Sequence, residues 1–231
     1  MRRLFITLAI GATAMSACAD TSAPSSAHPA VIELFQSQGC SSCPPANAVL
    51  NSLADRKDLI VLSFAVTYWD YLGWKDSFAL KAFTDRQYDY AHGLKGAHVA
   101  TPQMVINGRG TLPGQTRASV DQALTQFARK GPEPEITAGA GKIAIGKMDY
   151  KGQATVWLVR YDPRSLEVPI SAGENNGRTL PHRHIVKQLI SLGNWSGQAA
   201  DFNLPPAAQG LEGAILIQAG QGGPIVAAKA L

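Results

Sequence analysis

Among the side chains of this sequence, the thiols are the ones best suited to chemistry. The chain has three cysteines, and two of them, Cys40 and Cys43, lie in the stretch QGCSSCPP. Two thiols at C-x-x-C spacing have three uses. A disulfide across so short a loop removes little entropy from the unfolded chain, so a plain staple gains little. Structural zinc takes four ligands and the pair supplies two, leaving Glu33, His92, His98, His182 and His184 as candidates for the rest. A redox pair needs nothing more. The partial positive charge at a helix N-terminus stabilises a thiolate. Cys40 is therefore expected to be the exposed nucleophile and Cys43, one turn further in, the shielded resolving thiol. Cys40 attacks a substrate disulfide, and Cys43 then resolves the mixed disulfide. Ser41 and Ser42 offer donors to the thiolate and are expected to tune its potential.

Two other stretches carry candidate residues. Tyr68, Trp69, Asp70, Tyr71 and Trp74 crowd a loop after the second expected strand, at the sheet end where the cysteines also sit. Trp69 and Asp70 are expected to face the site; the alternative is that these rings are core beneath a long loop. In GENNGRTLPHRH, Asn175, Asn176 and Gly177 make a turn. His182 and His184, two apart, share a face if they lie on one strand. Those histidines either tune the Cys40 thiolate or join the cysteine pair in taking copper or zinc. Metal handling is the competing reading, and a non-catalytic binding module is a third. Exchange itself needs no cofactor beyond the redox-active disulfide.

The elements that must position these residues follow from periodicity. Residues 31–35 read as a buried strand leading into the cysteines. Pro44 and Pro45 suit the first turn of a helix, where backbone N–H groups lack partners anyway, and Ala46, Val49, Leu50 and Leu53 continue at helical spacing. Residues 59–66 form an apolar run typical of a strand covered on both faces. A helix is predicted over 77–92, a strand over 103–106, a hairpin turn at Asn107 and Gly108, and a helix over 117–130. Residues 131–134, GPEP, read as a linker. Beyond it, short apolar runs at 143–145, 155–161, 166–170, 185–192 and 214–218 read as β-rich, although 185–192 fits a helix nearly as well. The expected architecture is an α/β domain over 30–131 followed by a smaller β-rich, sandwich-like domain over 135–231.

Strand, C-x-x-C at a helix start, strand, helix, Thr101-Pro102 before a hairpin, and a final helix together resemble a thioredoxin fold. That resemblance implies an α/β thioredoxin-like first domain, a cis Pro102 facing the cysteines, and Thr101 presenting its backbone to the substrate. It also implies a buried carboxylate six residues before the first cysteine, to move protons for the resolving thiol. Leu34 holds that place; Glu33, one residue earlier, points to the opposite face of a regular strand. More of the chain is covered by VIELFQSQGCSSCPPA, SFAVTYWDYLGWKDSFA, TPQMVING and GENNGRTLPHRHIV, which resemble a family of secreted bacterial proteins catalogued as domain of unknown function 1223. This second resemblance implies a thioredoxin-like fold with an all-β C-terminal part and no named substrate.

The N-terminus bears on where the chemistry happens. Arg2 and Arg3, the apolar run LFITLAIGATA and the small residues at 16–19 have the order of a secretory signal over residues 1–19, too short to span a bilayer. A cut before Cys18 leaves a cysteine for lipid attachment instead. Residues 20–29, rich in Ser, Ala and Pro, read as a disordered tether. The protein is thus expected to be periplasmic or secreted, and membrane-bound only through a lipid on Cys18. The formal charge of +4 falls to +2 without Arg2 and Arg3, too little to imply a nucleic-acid partner. The expected partner is a protein or small-molecule thiol or disulfide.

Overall fold

The first strand, β1 (Ala30–Gln36), reads AVIELFQ, and every residue of it is buried. The next strand, β2 (Leu59–Ala65), is also buried throughout and runs parallel to β1. Between them lies α1 (Pro44–Leu53), whose Pro44 and Pro45 occupy the first two helical positions. Then come a 3₁₀ turn (Asp70–Leu72), α2 (Lys81–Gly93), the hairpin of β3 (Gln103–Ile106) and β4 (Gly110–Leu112), and α3 (Arg117–Gln126). The helix predicted from residue 77 starts later because the Asp76 carboxylate accepts a hydrogen bond from Phe78 N at 2.9 Å, holding a turn ahead of an extended Leu80. The computed structural model describes residues 23–231; the expected signal over 1–19, with Cys18, lies outside them.

Nine further strands follow: β5 (Ile136–Gly139), β6 (Lys142–Ile145), β7 (Ala154–Asp162), β8 (Leu166–Pro169), β9 (Thr179–His182), β10 (Ile185–Trp195), β11 (Ala200–Asn203), β12 (Glu212–Ala219) and β13 (Ile225–Ala230). Here the expected fold class, an α/β thioredoxin-like domain followed by a separate β-rich sandwich, is corrected. The two halves share one eight-stranded mixed sheet of order β13-β12-β7-β10-β2-β1-β3-β4. The join is at β2, where Ser63 N donates to His184 O at 2.9 Å and Ile185 pairs in parallel with Ser63. The physical reason is that both faces of β2 are buried and its outer edge still carries backbone donors and acceptors that need partners. Beginning at the join, β10 runs on as a long strand beside β7; segment 185–192 is a strand.

The sheet is covered on both faces. On one, Phe83 and Tyr90 of α2 pack with Phe35, Phe64, Tyr161 and Leu216. On the other, α1 and α3 bring Leu50, Leu53 and Val120 onto Ile32, Leu34 and Met104. Further along that second face, the three-stranded sheet β11-β6-β5 sets Ile143 and Ile145 against Val156, Leu158 and Ile217. Strands β8 and β9 pair only with each other, and this hairpin lies along α1, where Asn51 Nδ2 donates to Pro181 O (3.1 Å) and Arg183 N to Asn51 Oδ1 (3.1 Å).

A covered disulfide as the candidate functional site

The connection from β1 to α1 is a short sequence of turns. Cys40 N donates to Ser37 O (3.1 Å), Cys43 N to Cys40 O (3.2 Å) and Asn47 N to Cys43 O (3.0 Å), so Cys43 is the N-cap of α1 and Cys40 precedes the helix. The two thiols are joined in a disulfide with their Cα atoms 5.4 Å apart. The sequence pattern predicts an exposed Cys40 beside a shielded Cys43. Instead both cysteines are 0 % exposed, while Ser41 and Ser42 between them face solvent. The two prolines also remove two N–H donors from the end of α1. The Cys40 sulfur lies 3.3 Å from the Ser42 hydroxyl.

Residues distant in sequence complete the surroundings. The Thr101–Pro102 peptide is cis, and Ser42 Oγ donates to Thr101 O at 3.4 Å. Trp69 Nε1 donates to Thr101 Oγ1 at 2.7 Å, which brings the aromatic loop to the same spot. Asp70 accepts from Asp76 N at 3.2 Å and so shapes that loop from within. Sequence reasoning passed over Asp76, which is 2 % exposed and accepts from Gln38 N at 2.8 Å. Burial pushes its carboxyl up to about 6, against the two N–H groups it accepts from, with Asp70 adding to the rise and Lys187 opposing it. Trp74 Nε1 donates to Gln38 Oε1 at 2.8 Å. The signal available in the sequence was an acid directly after an aromatic cluster.

Against the backbone of the C-x-x-C turn lies the loop between β8 and β9. Glu174 Oε2 accepts from Ser41 N (3.0 Å) and Ser41 Oγ (2.7 Å). Asn175, fully buried, donates through Nδ2 to Gln38 O (2.8 Å) and Cys40 O (2.9 Å). In the sequence Asn175 was legible only as a turn former within GENNGRT, and Glu174 carried no signal.

Other predicted residues lie in different surroundings. Glu33 stays on the face of β1 opposite Leu34, because β1 keeps a regular register with both neighbours. It is buried against Arg86 and Tyr90 of α2, with Arg86 Nη2 donating to Oε1 at 3.0 Å and the guanidinium also bonded to Gln218 (3.1 Å). The guanidinium packs 5.7, 5.1 and 5.6 Å from the ring centres of Phe64, Tyr90 and Trp157. Glu33 is thus half of a core ion pair. His182 and His184 do not share a strand face. His182 ends β9, whereas His184 has φ 52° ahead of β10. His184 Nδ1 meets Val61 O at 2.9 Å. His182 packs edge-on to Phe78, with neither ring nitrogen hydrogen-bonded; burial lowers its pKa to about 4. Among the described residues no three His, Cys, Asp or Glu side chains converge as a metal site, and no helix among them is long and apolar enough to cross a membrane.

Fold and site together define a protein built on one large mixed sheet, with a C-x-x-C disulfide where its first strand turns into a helix. The chain belongs to the family described as protein of unknown function (DUF1223), which matches residues 31–218. It is similar to the crystal structure of protein AGR_C_4864 from Agrobacterium tumefaciens, at 32% identity and a TM-score of 0.73, covering 87% of this chain and 93% of that one. It also shares its fold with HBP35 of Porphyromonas gingivalis, at 13% identity and a TM-score of 0.51, covering 88% of this chain and 74% of that one. No curated protein matches the chain.

Proposed function

We propose that the protein exchanges thiols and disulfides through Cys40 and Cys43. The observation that carries this reading is the disulfide itself, closing the β1–α1 turn with a hydroxyl at the Cys40 sulfur and the Thr101 carbonyl beside that hydroxyl. In one direction, a substrate thiolate attacks Cys40 Sγ, the Cys40–Cys43 bond breaks, and Cys43 leaves as a thiolate. A second substrate thiolate then attacks the mixed disulfide and releases Cys40. Two electrons and two protons pass from the dithiol substrate to the cysteine pair, and the reverse sequence reduces a substrate disulfide. The Ser42 hydroxyl lies between the Cys40 sulfur and the Thr101 carbonyl and can donate to either one at a time, and Trp69 and Thr101 form the wall beside it. Persistence of such a pair fits a compartment outside the cytosol, consistent with the secretory pattern over residues 1–19. A periplasmic or secreted location, anchored if Cys18 is lipidated, is part of the proposal.

The test is exchange with a model disulfide, followed by thiol titration, in wild type, Cys40→Ser and Cys43→Ser. Wild type should turn over, Cys40→Ser should be inert, and Cys43→Ser should stop at the mixed disulfide. A Cys40→Ser protein reacting at the wild-type rate rules this function out. Stoichiometric zinc or copper in the reduced protein, lost in Cys43→Ser, would replace it with metal handling.

A further inference from the structure

Resting on that exchange chemistry, we propose that the β8–β9 loop is a built-in cover that makes the disulfide selective for peptide thiols and disulfides over small ones. A thiolate must approach the sulfur along the S–S axis to displace its partner, and both cysteines are fully shielded. The contacts that the β8–β9 loop makes with their turn are polar and directional. The Glu174 carboxylate occupies the Ser41 N–H, and the Asn175 amide occupies the carbonyls of Gln38 and Cys40. One acceptor and one donor therefore sit along four consecutive residues, the pattern an extended peptide backbone also offers with its own C=O and N–H groups. An incoming peptide replaces the bonds it breaks. A small thiol replaces none of them and reacts only with the fraction of molecules whose cover is already open.

The loop is held together by its own hydrogen bonds. Ile170 N donates to Arg178 O (2.8 Å), Gly177 N to Ile170 O (2.8 Å) and Arg178 N to Asn175 O (3.1 Å). Arg178 Nη1 holds Asn175 Oδ1 at 2.7 Å, so all the polar capacity used by the Asn175 side chain is directed. Gly173 brings the tip close: a Cβ placed there would lie 3.8 Å from both Gly39 Cα and Leu72 Cβ. Nearby in the aromatic loop, Tyr71 is 80% exposed and offers an apolar contact for a peptide side chain.

The experiment reduces the oxidised full chain with dithiothreitol and, separately, with an extended peptide carrying two cysteines, and compares second-order rates. Wild type should favour the peptide. Asn175→Ala, which loses two hydrogen bonds to the turn, should raise the dithiothreitol rate about tenfold or more and leave the peptide rate within about twofold, collapsing the preference. Glu174→Gln, which keeps an acceptor, should give a smaller rise of the same sign and serves if Asn175→Ala folds poorly. Amide exchange at Ser41 should be protected in oxidised wild type and faster in both variants. A dithiothreitol rate in folded wild type equal to that in the urea-unfolded chain, and unchanged in both variants, overturns the cover. The exchange reading fails by a separate result, namely that the reduced protein passes its electrons to no disulfide, and reduction rates report on the cover either way.

Discussion

Replacing Asp76 by asparagine isolates a charge that the fold buries beside the C-x-x-C turn. In the unfolded chain this carboxyl titrates near 3.8, and in the folded protein burial raises it to about 6. The folded state therefore holds the proton more tightly. The stability this confers is fully present below pH 3.8 and is lost as pH rises through about 6. The gap between the two values is worth roughly 3 kcal/mol. The asparagine side chain does not titrate; like the protonated acid it offers one carbonyl oxygen to the N–H groups of Gln38 and Phe78, and its buried amide has one more N–H to satisfy than the acid has O–H, a constant loss of about 1 kcal/mol. Asp76→Asn should thus be slightly less stable than wild type at pH 4 and about 2 kcal/mol more stable at pH 7. Urea unfolding of both proteins at half-unit steps across that window measures the difference directly. A difference that stays flat with pH would refute the claim that folding buries the Asp76 charge at an energetic penalty.

His182 gives the opposite slope. Its ring is held neutral by burial, with a pKa near 4 against 6.5 when free, so its contribution is present above pH 6.5 and lost as pH falls through about 4. His182→Phe should gain roughly 3 kcal/mol of acid resistance over that range, read from the same titrations; an unshifted acid midpoint counts against it. Arg86→Met strands the Glu33 carboxylate in the core and should destabilise by about 3–5 kcal/mol, whereas Glu33→Gln combined with Arg86→Met should recover most of the loss in thermal unfolding. Gly110→Ala places a methyl where the Phe127 ring already lies and should lower stability by about 1–3 kcal/mol, visible as a reduced urea midpoint with an unchanged slope.

Local order was legible wherever a short-range rule acts. The run AVIELFQ, the two prolines after Cys43, the apolar run of β2 and the Asn107-Gly108 turn each specify their element through sterics and periodicity over a few residues. The spacing of Cys40 and Cys43 allows a disulfide, a metal site or a redox pair, and the structure shows the two joined. Strands β5, β9, β11 and β13 were missed: the first three are only four residues long and largely exposed or half-buried, too short for a period to stand out.

What the sequence by itself determined is the elements of the first half, most of the longer strands of the second, and the place of two thiols in one short turn. Tertiary structure decided the rest, because it depends on which backbone edges find each other. Periodicity reports that β2 is buried and says nothing about its neighbour, so the union of the two halves into a single sheet came only with the pairing of Ile185 and Ser63. The same long-range closure carries Glu174 and Asn175 across more than 130 residues of chain onto the C-x-x-C turn. Spacing identifies the two thiols; the fold determines that both are buried.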